Sequence, residues 1–385
     1  MRRYNIDRTT KTFPLGKLLF LMLRRFPMTA TLGFGFLRLP QLDGAVDYEA
    51  GCALVDRFLA LGGRYFDTAY TYLEGQSEEA IRRCLVERHP RESYHLADKL
   101  PGFAAQSEAD SLRFFETSLK RCGVDYFDTY LLHGLNEENY EIAKKFRQFE
   151  FLQEMKAQVR VKRIGFSFHD CPELLDRILT EHPEVECVLL QINYLDWHSP
   201  ALRASELYET ACRHGKAILI MEPVKGGSLA SPPVELSLPG NPASWAIRFA
   251  SGLPGVEAVL SGMNTIAQIE ENLAPQIPLT ETEKAKLEDA ATRIRAITAA
   301  PCTACGYCLP GCPLGLPIPK YLALYTEVAR NPKENWKMEH VYFDLARNSA
   351  PADACLNCGA CTKSCPQGLN IPDFLAKTAL AFPPE

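Results

Sequence analysis

Eight of the chain's 14 cysteines stand in its last quarter, in two runs: CTACGYCLPGCP from Cys302 to Pro313 and CLNCGACTKSCP from Cys355 to Pro366. Each run reads CxxCxxCxxxCP, a spacing that lets three thiolates grip one iron–sulfur cubane while the fourth reaches across to a partner cluster. This assigns Cys302, Cys305, Cys308 and Cys365 to one 4Fe-4S cluster, and Cys312, Cys355, Cys358 and Cys361 to the other. Zinc is the competing use of such thiols. It usually takes two pairs of ligands per ion, and a third thiolate so soon after the second is hard to place tetrahedrally. The runs open a longer repeat: Cys302 to Leu324 and Cys355 to Lys377 share CxxCGxCxxxCPxGLxIPxxLA. That density implies two equivalent half-sites related by a pseudo-twofold. In each copy the second proline, Pro319 or Pro372, suits the first turn of a helix, where its missing N–H costs nothing.

A second constellation handles protons. Asp67 follows RYF, Tyr72 lies just beyond it, Lys99 closes YHLAD and His133 closes DTYLL. A phenol titrates near pH 10 and needs help to trade protons near neutrality. Lys99 can favour its ionisation, Asp67 can hold the ammonium in place, and His133 can orient a carbonyl. Tyr70 competes with Tyr72 for the acid role. Any one of these side chains alone is more often a solvated or satisfied residue; the chemistry needs all of them at one rim.

The elements that would bring them there are eight apolar runs: TLGFG, RYFDTA, YHLADK, DTYLLH, VKRIGFS, CVLLQINY, AILIMEP and EAVLSGM, between Thr31 and Met263. Amphipathic helical patterns separate them. In SEADSLRFFETSLKRCG, Ser107 can cap, Leu112, Phe115 and Leu119 share a face, and Gly123 can terminate. Strands apolar enough to be buried on both sides, alternating eight times with helices, predict an α/β fold of the (β/α)8 TIM barrel type, with the active site at the strands' C-terminal ends. A doubly wound open sheet is the alternative, and it would normally carry a GxGxxG turn after its first strand, which is absent.

With these residues in view, the chain resembles the aldo-keto reductase family over nearly all of Thr31 to Asn272. DTAYTY matches the family's DTAxxY, which carries its catalytic Asp and Tyr, here Asp67 and Tyr72. Lys99 in ADKLP and His133 in YLLHGL match the remaining two positions. The resemblance implies that Tyr72, five residues after the Asp, protonates a carbonyl oxygen while a nicotinamide delivers hydride. It also implies that Ser167 and Gln191 hold the nicotinamide carboxamide, although the family's Asn after that Ser is Phe168 here. Glu222 to Gly227 end the seventh strand, with Lys225 as a phosphate contact. After the eighth, Ser261, Gly262, Met263 and Asn264 precede a helix that Thr265 and Gln268 can cap and that runs through Glu271 and Asn272, so its N-terminus suits a phosphate. There is no Lys or Arg from Ser261 to Glu283. The family's usual 2′-phosphate contacts are therefore missing, and NAD is as open as NADP. The cysteine runs resemble bacterial-type two-cluster ferredoxins. The long connector, Pro313 to Ala354, contains YLALYTEVAR and WKMEHVYFDLAR, which brings the region closer to helical ferredoxin domains that pass electrons inside larger oxidoreductases. Together the parts look like the aldo-keto reductase subgroup with an iron–sulfur tail.

At 385 residues the chain suits one large and one small domain. The expected division is an N-terminal extension over 1–28, the barrel over 29–283, a helical linker over 284–300 and a mostly helical, ferredoxin-like domain over 301–385. A charged fraction of 23%, a hydrophobic fraction of 46% and a net charge of −5 describe a soluble globular protein with no basic field for nucleic acid. The apolar core of Leu15 to Pro27 is far short of the roughly 20 residues of a spanning helix, so a short helix packed on the body is expected and a membrane is not. Fourteen cysteines without a signal peptide point to metal or redox work in a reducing cytoplasm. The expectation is an oxidoreductase (EC 1) reducing a small carbonyl, or oxidising an alcohol, with NAD(P)H. Its clusters would link it to a ferredoxin- or flavodoxin-like partner, through a flavin if single electrons must meet a hydride carrier. A cluster-driven reductase without nicotinamide and a non-catalytic electron-relay scaffold are the alternatives.

Overall fold

The computed structural model describes residues 30–199, 202–232, 234–274, 277–330 and 338–382. The helix expected over Leu15 to Pro27 lies outside them. Eight parallel strands close into a barrel: β1 (Thr31–Gly35), β2 (Tyr65–Asp67), β3 (His95–Leu100), β4 (Phe127–Leu135), β5 (Val161–Phe168), β6 (Cys187–Gln191), β7 (Ala217–Met221) and β8 (Val256–Gly262), with β8 pairing back onto β1. Closure excludes the open sheet. Every predicted run overlaps its strand, because a strand buried on both faces is written largely in apolar residues. Residues 1% exposed or less fill both faces, with Leu131 and Leu189 among those inside the barrel and Phe66, Leu96 and Ile220 beneath the helices.

Two details depart from expectation. The helix Ala109–Cys122 ends at Gly123 in the left-handed region, as predicted, but its buried face is Phe114, Phe115, Leu119 and Cys122, and Leu112 is 45% exposed. Its N-terminus is held not by Ser107 but by Asp110, whose carboxylate accepts from the N–H groups of Gln106 and Ser107 at 2.9 Å. After β1 a small hairpin, Gln41–Leu42 with Ala45–Val46, turns on Asp43 and Gly44, both with positive φ as a two-residue hairpin turn requires.

Beyond the barrel, the helix Glu281–Ile297 opens with a Thr280/Glu283 capping box and buries Leu287, Ala291 and Ile294 in a cluster with Trp245, Leu195 and Leu236. The connection to the cysteine region is thus packed on the barrel. That region has its own core, in which the helices Ile318–Arg330 and Ile371–Ala381 contribute Tyr321, Leu322 and Leu375; Pro319 and Pro372 occupy their first turns. A third helix, Glu339–Asn348, adds Tyr342, which stacks on Phe382 at 4.8 Å.

Candidate active site and cluster sites

Asp67 is the last residue of β2, Lys99 stands near the end of β3 and His133 near the end of β4, so adjacent strands deliver all three to the same rim. Lys99 is 1% exposed, and its ammonium spends its three protons on both oxygens of Asp67, at 2.8 and 2.7 Å, and on the Thr68 carbonyl at 2.7 Å. Tyr72 begins a tight turn in which Leu73, Glu74 and Gly75 all have positive φ. That turn brings its ring centroid to 4.7 Å from the Lys99 ammonium and edge-on to His133, centroids 5.7 Å apart. Tyr70 is used elsewhere: its ring lies under Arg121 and against Phe114.

The electrostatics differ from the expectation in one respect. Burial, then the Asp67 charge, pushes the Tyr72 phenol well above its usual range. These two effects outweigh the loosening of its proton by the nearby ammonium, which Asp67 and Thr68 already hold. Burial, reinforced by Lys99, holds His133 well below its usual range, so the imidazole is neutral. The site therefore presents a protonated phenol and an uncharged imidazole side by side.

These residues open into a cavity of about 480 Å³ that runs from Asp67, Tyr72, Lys99 and His133 past Ser167, Gln191 and Glu222 to Ser261, Gly262, Asn264, Gln268, Glu271 and Asn272. Three buried polar atoms on its wall, His133 Nδ1, Glu222 Oε2 and Ser261 Oγ, have no hydrogen-bond partner among the described residues. Other expected contacts are occupied. Ser167 Oγ accepts from the Gly134 N–H at 2.7 Å. Gln191 pairs with Asp196 and with Gln367 of the cysteine region. Lys225 is buried and its ammonium is held by Asp196 at 2.7 and 2.8 Å and by Gln367 at 2.9 Å, so it is not free for a phosphate. The side chain of Met263 belongs to the core. Thr265 and Gln268 cap the short helix Ile266–Asn272, Gln268 reaching back to the Asn264 N–H at 2.7 Å, and Glu271 accepts from Asn241. A further cation on this wall is Arg38, just after β1, with its stem against Gly262 and its guanidinium donating to the Thr303 carbonyl at 3.2 Å. Sequence reasoning passed over it, although an arginine three residues past a barrel strand was the available signal.

The cysteines gather as two sets of four. Cys302, Cys305, Cys308 and Cys365 line one small void, and Cys312, Cys355, Cys358 and Cys361 line another; none of the eight is in a disulfide. The repeat extends to the backbone. Ala304 and Asn357 (φ 53° and 51°), Gly306 and Gly359 (83° and 73°), and Gly315 and Gly368 (60° and 61°) share positive φ at matching positions. Turns of this kind aim N–H groups inward, as an anionic cluster needs. Burial and the neighbouring thiols push Cys308 up to about 12; what fits an iron cluster is the ligand set, three thiols of one run and the last of the other around a single void. Of the eight, Cys358 is the exposed one. Among the other six cysteines, Cys52 and Cys84 face each other with sulfurs 2.9 Å apart.

The first set does not sit apart from the barrel. Thr303, Cys305, Tyr307, Pro366 and Gln367 line the barrel cavity together with Tyr72, and the hydroxyl of Tyr307 meets that of Tyr72. Cys305 therefore borders both the first void and the cavity.

Comparison with known proteins agrees with this architecture. Residues 31–235 match the model of the Aldo/keto reductase family, and residues 301–369 match that of a 4Fe-4S dicluster domain. The chain belongs to the aldo/keto reductase family. An aldo-keto reductase of Mycolicibacterium smegmatis is 34% identical over 177 residues, 46% of this chain and 60% of the relative. An uncharacterised oxidoreductase of Bacillus subtilis is 30% identical over 196 residues, 50% of this chain and 66% of the relative. The chain thus spans about 60% of the length of the first curated relatives it matches. In fold, an aldo-keto reductase from Bacillus halodurans in its holo form superposes with a TM-score of 0.57 at 24% identity, covering 69% of this chain and 95% of that one. One from Klebsiella pneumoniae, in complex with NADP and acetate, gives 0.53 at 20%, covering 69% and 91%. No helix among the described residues is long and apolar enough to cross a membrane.

Proposed function

We propose that the protein reduces a small carbonyl to an alcohol, or runs the reverse oxidation, with NAD(P)H at Asp67, Tyr72, Lys99 and His133, and that two 4Fe-4S clusters connect this site to a one-electron carrier. The observation that carries the reading is the meeting of a protonated Tyr72, a neutral His133 and the Asp67-clamped Lys99 on one cavity wall. Tyr72 hands its proton to the carbonyl oxygen. Lys99, fixed against the face of its ring, stabilises the phenolate left behind, and Asp67 keeps that ammonium charged and in place. His133 orients the carbonyl. A reduced nicotinamide supplies the hydride, and proton plus hydride balance the two-electron reduction. The stretch from Glu222 to Asn272 fits such a cofactor through the unpartnered Glu222 Oε2 and Ser261 Oγ. With no Lys or Arg in 261–283 and Lys225 committed to Asp196, Arg38 beside Gly262 is the cation within reach of a 2′-phosphate, so the wall accommodates NAD or NADP. The clusters supply and accept single electrons, with Cys302, Cys305, Cys308 and Cys365 holding the first and Cys312, Cys355, Cys358 and Cys361 the second. Exchange between the hydride carrier and the one-electron clusters would need a two-electron mediator such as a flavin, a group to which no feature of the described residues points. A reducing, cytoplasmic setting suits the clusters.

Tyr72→Phe tests the acid role: carbonyl turnover should fall by about 10²- to 10⁴-fold while iron per chain stays the same. Equal turnover would remove Tyr72 from the mechanism. A second reading has one observation in its favour. Cys305 borders the cavity itself, so a cluster could feed electrons to a substrate held by Tyr72 and His133 without nicotinamide. Calorimetry with NADH and NADPH separates the two, since binding of neither favours the cluster-driven reading.

A further inference from the structure

The two copies of the cysteine repeat end alike, in CPxG, but the variable residue has opposite fates. In the first copy it is Leu314, 39% exposed. In the second it is Gln367, 5% exposed and inserted into the barrel mouth two residues after Cys365. There its amide forms a reciprocal pair with Gln191 at the end of β6, Nε2 donating to Gln191 Oε1 at 2.9 Å and Oε1 accepting from Gln191 Nε2 at 3.0 Å. The same Oε1 accepts from Lys225 at 2.9 Å. Lys225 and Gln191 share Asp196 as an acceptor, and Asp196 in turn takes a hydrogen bond from Asn193. Every member is buried, so its polar groups rely on one another and the contacts specify the network's geometry. Lys225 and Glu222, both on the loop after β7, have left-handed backbones (φ 46° and 56°), the strained state that persists only where surroundings impose it.

We propose that Gln367 is an interdomain positioning residue: it ties the loop carrying Cys365, the fourth ligand of the first cluster, to the Lys225 ammonium and to Gln191, so that the barrel mouth sets the environment of that cluster and not of the second. The inference rests on the iron–sulfur part of the proposed function and not on its nicotinamide part. Hydrogen bonding and charge around the sulfurs are the levers by which a protein tunes a cluster's potential, and outer-shell contacts of this sort orient the ligands themselves. Gln367 draws the Lys225 ammonium toward the cluster loop. Without it the ammonium settles on Asp196, and the first cluster loses positive potential that favours its reduced form.

The test is an EPR-monitored redox titration of anaerobically reconstituted full-length protein, wild type against Gln367→Leu, which installs the residue of the first repeat. The expected result is eight irons per chain in both, with one midpoint lowered by at least tenfold in the reduction equilibrium, 59 mV for one electron, and the other unmoved. Should Gln367→Leu lose iron, Gln367→Asn, which keeps the amide but cannot span the gap, is titrated in its place with the same expectation. Two unmoved midpoints, or two that move equally, overturn the proposal. Wild-type protein that takes up no iron overturns the cluster reading along with it, and the iron count tells that failure apart from a failure of the coupling alone.

Discussion

At the scale of single residues, the candidate site is governed by burial more than by pairing. Desolvation is the first cause that keeps Tyr72 protonated and His133 neutral, and the Asp67 charge adds to it at the phenol as the Lys99 charge does at the imidazole. The same force acts on other imidazoles. Burial holds His95 and His169 at about 4, so the folded chain refuses protons that the unfolded chain takes up near pH 6.5. Stability from these groups is full above about pH 6.5 and is lost as pH falls towards 4, by roughly 3 kcal/mol for His95 alone. In His95→Gln the fall of melting temperature between those pH values should be shallower. An unchanged slope would mean that His95 protonates in the folded state.

At the scale of elements, the barrel's precision comes from close approach of strands. Gly165 on β5 has no room for a methyl group: a Cβ there would meet the Cys187 carbonyl at 2.2 Å and its sulfur at 2.7 Å. Gly165→Ala should cost about 1–3 kcal/mol in chemical denaturation, and a loss under a few tenths would show that β5 and β6 can separate freely. Elements of this kind were legible in the sequence because their signal is local. Burial on both faces writes each strand as an apolar run, and Gly123 marks a helix end by its backbone. The same locality misplaced Leu112, since periodicity alone does not say where a helix's apolar stripe is centred. Asp67, Lys99 and His133 could be read because strand ends follow from strands. Gln367 could not: its partner Gln191 lies 176 positions away, and nothing in CPQG distinguishes a residue that turns into the barrel from one that faces solvent. Lys225 was misread for the same reason, its acceptors being Asp196 and Gln367 rather than a ligand.

At the scale of the whole molecule, the two cysteine sets have different surroundings. The first lies between the cysteine region's own core and the barrel mouth, whereas the second includes the exposed Cys358 and is flanked by Leu314 and Leu356, the latter 63% exposed. Chelators should therefore reach the second set first. Iron released against time by a strong chelator should come off in two phases, passing through a species with about half its iron, and the surviving EPR signal should be the one that Gln367→Leu alters. A single phase would mean that the two sites open together.

The crossing of ligands between repeats also has a bearing on how the protein is made. Cys365 is the last cysteine of the chain, yet it completes the set begun by Cys302, and its loop carries Gln367 into the barrel mouth. A ribosome will have finished the entire barrel well before that residue emerges. During synthesis the Tyr72 pocket therefore stands unroofed until the loop of Cys365 and Gln367 emerges, and the step that completes the inner set of cysteines is the same one that closes over the cavity.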